Sequence, residues 1–167
     1  MIKSNLYILL VLISFLSFSQ NENCTSIYLI RHAEKVRDGS KNSNPHLNAK
    51  GLLRADKWKD ILGNIKFDKI LSTNLFRTLE TALPISKTNN LEILKYKPSN
   101  KFYKNFLEQN NGKTILIVGH SNTIPSFVNS LINENFYKNI KDNNNGNLYH
   151  VYKCGNNNPT HVLYYIN

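Results

Sequence analysis

Two histidines occupy matching contexts. Ile30-Arg31-His32-Ala33 follows the apolar run Ile27-Tyr28-Leu29-Ile30, and Val118-Gly119-His120-Ser121 follows the run Thr114-Ile115-Leu116-Ile117-Val118. Imidazole can act as nucleophile, metal ligand or proton carrier near neutral pH. A lone histidine beside an apolar run is ordinarily a core or surface residue, but two at equivalent strand ends in one small domain are a stronger signal. Arginine sharpens it. Of 21 basic residues 17 are Lys, and the only arginines are Arg31, Arg37, Arg54 and Arg77. Arg31 adjoins His32, and Arg77 follows a third short run, Lys69-Ile70-Leu71-Ser72-Thr73, at the entry to a helical pattern. A planar guanidinium grips two oxygens of one phosphate, which a flexible ammonium does not reproduce. Two histidines and two arginines so placed outline a phosphoryl site, although Arg77 taken alone reads equally well as an exposed helix residue or an ion-pair partner.

The elements that must position these groups alternate. The first two runs have the length and continuity of strands buried on both faces of a parallel sheet, and Lys69 to Thr73 reads as a third, weaker strand. Between them lie helical patterns: Ala55, Trp58, Ile61 and Leu62 share a face within 48–62, Phe102, Tyr103, Phe106 and Leu107 within 100–110, and Ile124, Phe127, Val128 and Leu131 after Ser121. Ser99 and Gly112 bracket the second helix as cap and stop, and Pro125 falls in the first turn of the third, where a missing N–H costs little. Tyr149, Val151 and Tyr152, then Gly155-Asn156-Asn157-Asn158-Pro159, then Val162, Leu163 and Tyr164 read as a hairpin, with Asn143-Asn144-Asn145-Gly146 as the loop before it. The expected fold is α/β: one three-layer domain whose mostly parallel sheet is flanked by helices and closes with a C-terminal β-hairpin. In such sheets ligands sit outside the carboxyl ends of the strands, so both histidines should enter one crevice.

Composition narrows the function. The chain has 167 residues, 41% hydrophobic, enough for one compact core; 7 Gly and 2 Cys exclude collagen-like and disulfide-dense classes. The net charge of +10 accompanies 27 Asn and 17 Lys, a compositional bias that accounts for the charge without a nucleic-acid groove, and no basic-aromatic module stands out. Lys3, the uncharged run Leu6 to Phe18 and Ser17-Phe18-Ser19-Gln20 form the basic, apolar and small-residue regions of a cleaved signal peptide over residues 1–19. The run is short for a stable membrane anchor. Residues 20–167 are then an exported domain, periplasmic or secreted. Export places Cys24 and Cys154 where they can oxidise, and two readings stay open, a disulfide or two unpaired thiols.

Arg31-His32-Ala33, the stretch from Ser72 to Thr81 with Arg77 and Thr81, and Gly119-His120 together resemble the histidine phosphatase (phosphoglycerate mutase-like) superfamily in its small capless form. The likeness spans most of residues 27–132 and makes 20–167 a histidine phosphatase-like domain; Leu47-Asn48-Ala49-Lys50-Gly51 and Arg54-Ala55 resemble the region after the first motif. The resemblance implies a metal-independent phosphoric monoester hydrolase without a cofactor, in which His32 is the nucleophile and becomes phosphohistidine. Arg31, Arg77 and His120 would surround the three equatorial oxygens. The attacking nitrogen must be unprotonated, so the other ring nitrogen should donate a hydrogen bond. Asn122 is either an extra donor to the substrate or a plain helix cap.

Two departures bear on the chemistry. The family often has Gly where this chain has Ala33, whose methyl could narrow the space near phosphate. Ser121 and Asn122 stand where some members carry an acid after the second histidine, which closes that route to a proton donor. Glu34, Glu80, Glu92 and Glu108 remain as candidates without a recognisable motif. A missing acid would favour phosphohistidine, acyl phosphates and aryl phosphates over alkyl esters. The expected function is hydrolysis of phosphomonoesters or phosphoramidates on a small phosphorylated substrate or a phosphoprotein. The alternative is a non-catalytic module that binds phosphate or a phosphorylated ligand. A zinc hydrolase on His32 and His120 is disfavoured because the chain lacks a His-Glu-x-x-His or Cys-rich ligand set.

Overall fold

The computed structural model describes residues 23–39 and 41–166, so the expected signal peptide lies outside the described residues. The chain alternates strand and helix: β1 (Cys24–Arg31), α1 (Ala49–Leu62), β2 (Lys69–Ser72), α2 (Phe76–Asn89), β3 (Ile93–Lys95), α3 (Asn100–Tyr103), α4 (Phe106–Gln109), β4 (Thr114–Gly119), α5 (Thr123–Ile132), β5 (Asn147–Cys154) and β6 (Thr160–Tyr165). The six strands form one mixed sheet in the order β3-β2-β4-β1-β5-β6. β3, β2, β4 and β1 run parallel, while β5 and β6 are the antiparallel closing hairpin.

The central pair explains the continuous apolar runs. Successive side chains of a strand point to opposite faces, so burial on both sides demands apolar residues without alternation. Ile27, Leu29, Ile115 and Ile117 pack on one face with Phe106 of α4 and Phe127, Val128 and Leu131 of α5. Ile30, Leu116 and Val118 pack on the other with Trp58 and Leu62 of α1 and Ala82 and Ile85 of α2. Three layers result. Among the described residues, no helix is long and apolar enough to cross a membrane.

Two local expectations are corrected. The pattern over 100–110 is two short helices, because Lys104 is extended and Asn105 takes a left-handed conformation at φ 63°, one that Asn tolerates better than most residues. The Ser99 cap is present, its hydroxyl accepting from the Phe102 N–H at 3.1 Å. Ile61 does not join Ala55, Trp58 and Leu62 in the core and is 37% exposed at the margin of the α1 face. The cysteines form a disulfide. Cys24 and Cys154 sit opposite each other in the β1–β5 register, which brings their Cα atoms to 4.0 Å.

Candidate active site

The site is made by register. Arg31 pairs with Gly119 where parallel β1 and β4 end, and the His32 N–H donates to the Gly119 carbonyl at 2.9 Å. His32 and His120 therefore leave adjacent strands at the same edge, and their ring centroids are 5.5 Å apart at an interplanar angle of 64°. Gly119 is required by this crowding: a Cβ there would stand 2.9 Å from both the Tyr96 hydroxyl and Ile124 Cδ1.

His32 is buried and held on three sides. Its Nδ1 lies 2.7 Å from the Ala33 carbonyl. A carbonyl only accepts, so Nδ1 carries the proton and Nε2 keeps its lone pair. The Ala33 N–H donates to Thr81 Oγ1 at 2.9 Å, and the Thr81 hydroxyl donates to the Arg77 carbonyl. Asn145 Nδ2 donates to the His32 carbonyl at 2.8 Å. The Ala33 methyl packs with Leu47 and Ala55, so it leaves the space beside the imidazole open.

His120 is fixed by a relay of hydroxyls. Its Nε2 is 2.9 Å from Thr73 Oγ1, which is 2.9 Å from Thr78 Oγ1, and the Thr78 hydroxyl donates to the carbonyls of Thr73 and Leu75. Because the Thr78 proton goes to a carbonyl, Thr73 donates to Thr78 and accepts from His120 Nε2–H, leaving Nδ1 as the second imidazole's lone-pair nitrogen. Burial, with help from the neighbouring arginines, pushes His32 down to about 3 and His120 down to about 4. Both imidazoles are therefore neutral near pH 7.

The arginines differ. Arg31 is 3% exposed; its Nη1 donates to the carbonyls of Lys141, Asp142 and Asn144 at 3.0, 3.0 and 2.9 Å, and its Nη2 to Asp142 Oδ1 at 2.9 Å. The Asn-rich loop is thus a cage around this guanidinium. Among the described residues, the Arg77 guanidinium makes only a 3.5 Å contact, from Nη1 to the Ser43 carbonyl. In both, the Nε–H is buried with no acceptor among the described residues. Desolvation and the charge of Arg31 lower the proton affinity of Arg77, which, unlike Arg31 with its Asp142, has no carboxylate partner among the described residues. Two unmatched buried donors beside a lone-pair imidazole suit a tetrahedral anion.

The carboxylates are elsewhere or occupied. Arg54 Nε donates to both oxygens of Glu34 at 2.9 Å, and these contacts, with Lys50, hold its carboxyl below the usual range against the opposing effect of burial. Glu80 binds His46 and the Leu47 N–H. Glu92 precedes β3 and Glu108 lies on α4, both exposed and both toward the amino ends of the parallel strands, away from the histidines. Asn122 is exposed at the start of α5 and makes no side-chain capping bond. Sequence reasoning missed Asp142, whose carboxyl is held low by Arg37 and Arg31, and missed the roles of Asn145, Thr73 and Thr78. Asp142, Asn145 and Thr73 act across long sequence separations that leave no local pattern, and Thr78 matters only through Thr73, five residues before it.

A cleft of about 710 Å³ opens beside Arg31 and His32 and runs outward past Lys35, Arg37, Asn48 and Lys50; His120 and Arg77 are not among its walls. No group of three or more His, Cys, Asp or Glu among the described residues could hold a metal ion.

Residues 27–98 match the family model of the histidine phosphatase superfamily (branch 1). No curated protein matches by sequence. Solved structures share the fold at low identity. A candidate phosphohistidine phosphatase SixA from Agrobacterium tumefaciens is 19% identical, covering 78% of this chain and 94% of that one, with a TM-score of 0.58. Phosphoserine phosphatase from Entamoeba histolytica, solved with 3-phosphoglyceric acid, is 18% identical over 86% of this chain and 97% of that one, with a TM-score of 0.61. A mycobacterial glucosyl-3-phosphoglycerate phosphatase is 12% identical over 77% and 90%, with a TM-score of 0.63. Residues 27–98 thus resemble the histidine phosphatase superfamily in sequence, and the solved structures share the fold over 77–86% of the chain.

Proposed function

We propose that this protein is an exported phosphatase that hydrolyses phosphomonoesters or phosphoramidates through phosphohistidine on His32. Members of the superfamily hydrolyse phosphate esters. The observation that carries the reading here is the His32 ring, whose Nδ1–H is committed to the Ala33 carbonyl while Nε2 stays unprotonated in a site with two unmatched guanidinium N–H groups. Nε2 attacks phosphorus, the P–O or P–N bond breaks, and the leaving group departs with its electron pair. Water then attacks phosphorus, the P–Nε2 bond breaks, and phosphate and neutral imidazole are restored. Arg31 and Arg77 act as preorganised charge for the transferring group, and His120 joins them as a donor once the bound anion draws a proton onto its Nδ1.

The occupied carboxylates support a preference for leaving groups that need little protonation: phosphohistidine, acyl phosphates and aryl phosphates ahead of alkyl esters. The Cys24–Cys154 bond supports an oxidising compartment, in keeping with the expected signal peptide. The decisive experiment is rapid quenching on 4-nitrophenyl phosphate. It should trap acid-labile, base-stable phosphate on His32, with turnover unaffected by excess EDTA and lost in His32→Ala. Tight phosphate binding without turnover on any of the three substrate classes would instead establish a non-catalytic phospholigand module. Mass spectrometry of the protein recovered from its producing cells tests export: an amino terminus near Gln20 supports it, and an intact Met1 opposes it.

A further inference from the structure

We propose that the cleft beside His32 selects substrates whose leaving group carries a second anionic group, a carboxylate or another phosphate. This deepens the phosphatase reading and rests on it for the position of the scissile phosphate. The cleft is many times larger than a phosphate, and its outer walls are basic. Its two acids are already matched: Glu34 is bonded by Arg54, and Asp142 bridges Arg31 and Arg37. Lys35 takes part in none of the ion pairs among the described residues, and Lys50 reaches Glu34 only at 3.8 Å with its side chain 74% exposed. The outer cleft therefore holds positive charge in excess of its own carboxylates, next to imidazoles that are neutral.

The two lysines are mounted on fixed backbone. The Val36 N–H donates to the His46 carbonyl and the Asn48 N–H to the Glu34 carbonyl, both at 2.9 Å, and Asn48 Nδ2 donates to the Lys35 carbonyl at 3.2 Å. Gly51 presses this strap so closely that a Cβ would lie 2.0 Å from the Glu34 carbonyl oxygen. The Cα positions of Lys35 and of Lys50, in the first turn of α1, are thus set relative to His32, which limits where their ammonium groups reach and lowers the cost of bringing them to an anion. A neutral leaving group would leave this charge unused.

The test compares 4-carboxyphenyl phosphate with its neutral isostere, 4-carbamoylphenyl phosphate, so that size is held constant. The expected result is a KM at least about tenfold lower for the carboxylate, an advantage that shrinks as NaCl is raised and falls to within about twofold in Lys35→Ser/Lys50→Ser. Equal KM values in the wild type, or an advantage unchanged in the double variant, overturn the proposal. Substituting 1,4-phenylene bisphosphate shows whether carboxylate or phosphate is the better second group. Calorimetry of both carboxyl-series compounds on His32→Ala separates the two readings. Preferential binding of the carboxylate with no turnover in any form keeps the subsite and removes the catalytic reading, whereas turnover without preference does the reverse.

Discussion

His32 and His120 face each other at 5.5 Å because β1 and β4 are neighbours that end in register, Arg31 opposite Gly119. Each ring has one nitrogen tied back into the protein, His32 through Nδ1 to a carbonyl and His120 through Nε2 to a hydroxyl. The remaining nitrogens are those available to a ligand. Burial among cations keeps both rings neutral when no anion is bound.

That environment sets a pH dependence. Unfolded, each histidine titrates near 6.5; folded, the two titrate near 3 and 4. Between these limits the unfolded chain binds more protons, so stability falls as pH drops from about 6.5 toward 4 and is restored as pH rises. Histidine-resolved NMR on the free protein should place both midpoints below about 5. Midpoints near 6.5 would mean that the pocket is wet and open.

The two arginines should separate stability from chemistry. Arg31→Met removes a caged guanidinium and uncouples the 141–144 loop, so it should cost about 3 kcal/mol in chemical denaturation. Arg77→Met removes one long contact and should cost less than about 1 kcal/mol. Both should lower kcat/KM by about a hundredfold or more, since each loses charge stabilisation of the transferring group.

Asn145 should matter beyond its place in a loop. Replacing it by Ala deletes the donor to the His32 carbonyl and leaves that carbonyl buried and unmatched, at a cost of about 1–3 kcal/mol. With the imidazole less well aimed, kcat should fall about tenfold while KM changes little, as steady-state kinetics at a permissive temperature would register.

The disulfide should be a stability element only. Cys24 is seven residues from Arg31 along β1, roughly 23 Å at the rise of an extended strand. The Cys24→Ala/Cys154→Ala pair should lose about 2–5 kcal/mol of stability yet keep kcat and KM within twofold while folded. A large change in kcat would mean that the cross-link reaches the site through β1.

The sequence by itself determined the central strands, because burial on both faces leaves a continuous apolar run such as Ile115 to Val118 that is legible without coordinates. It also determined that His32 and His120 follow two such strands and that Arg77 opens a helix, since these are facts of local order. Tertiary structure alone decided that β1 lies beside β4, that Cys24 meets Cys154, and that the Asn-rich loop returns to cage Arg31. It alone decided which carboxylates are already occupied. Asn145 and Asp142 lie more than a hundred residues from the groups they hold, and a hydrogen bond across that separation leaves no periodicity in the chain. Local pattern records what each segment must bury; which nitrogen of His32 keeps its lone pair depends on a carbonyl that only the folded chain puts in place.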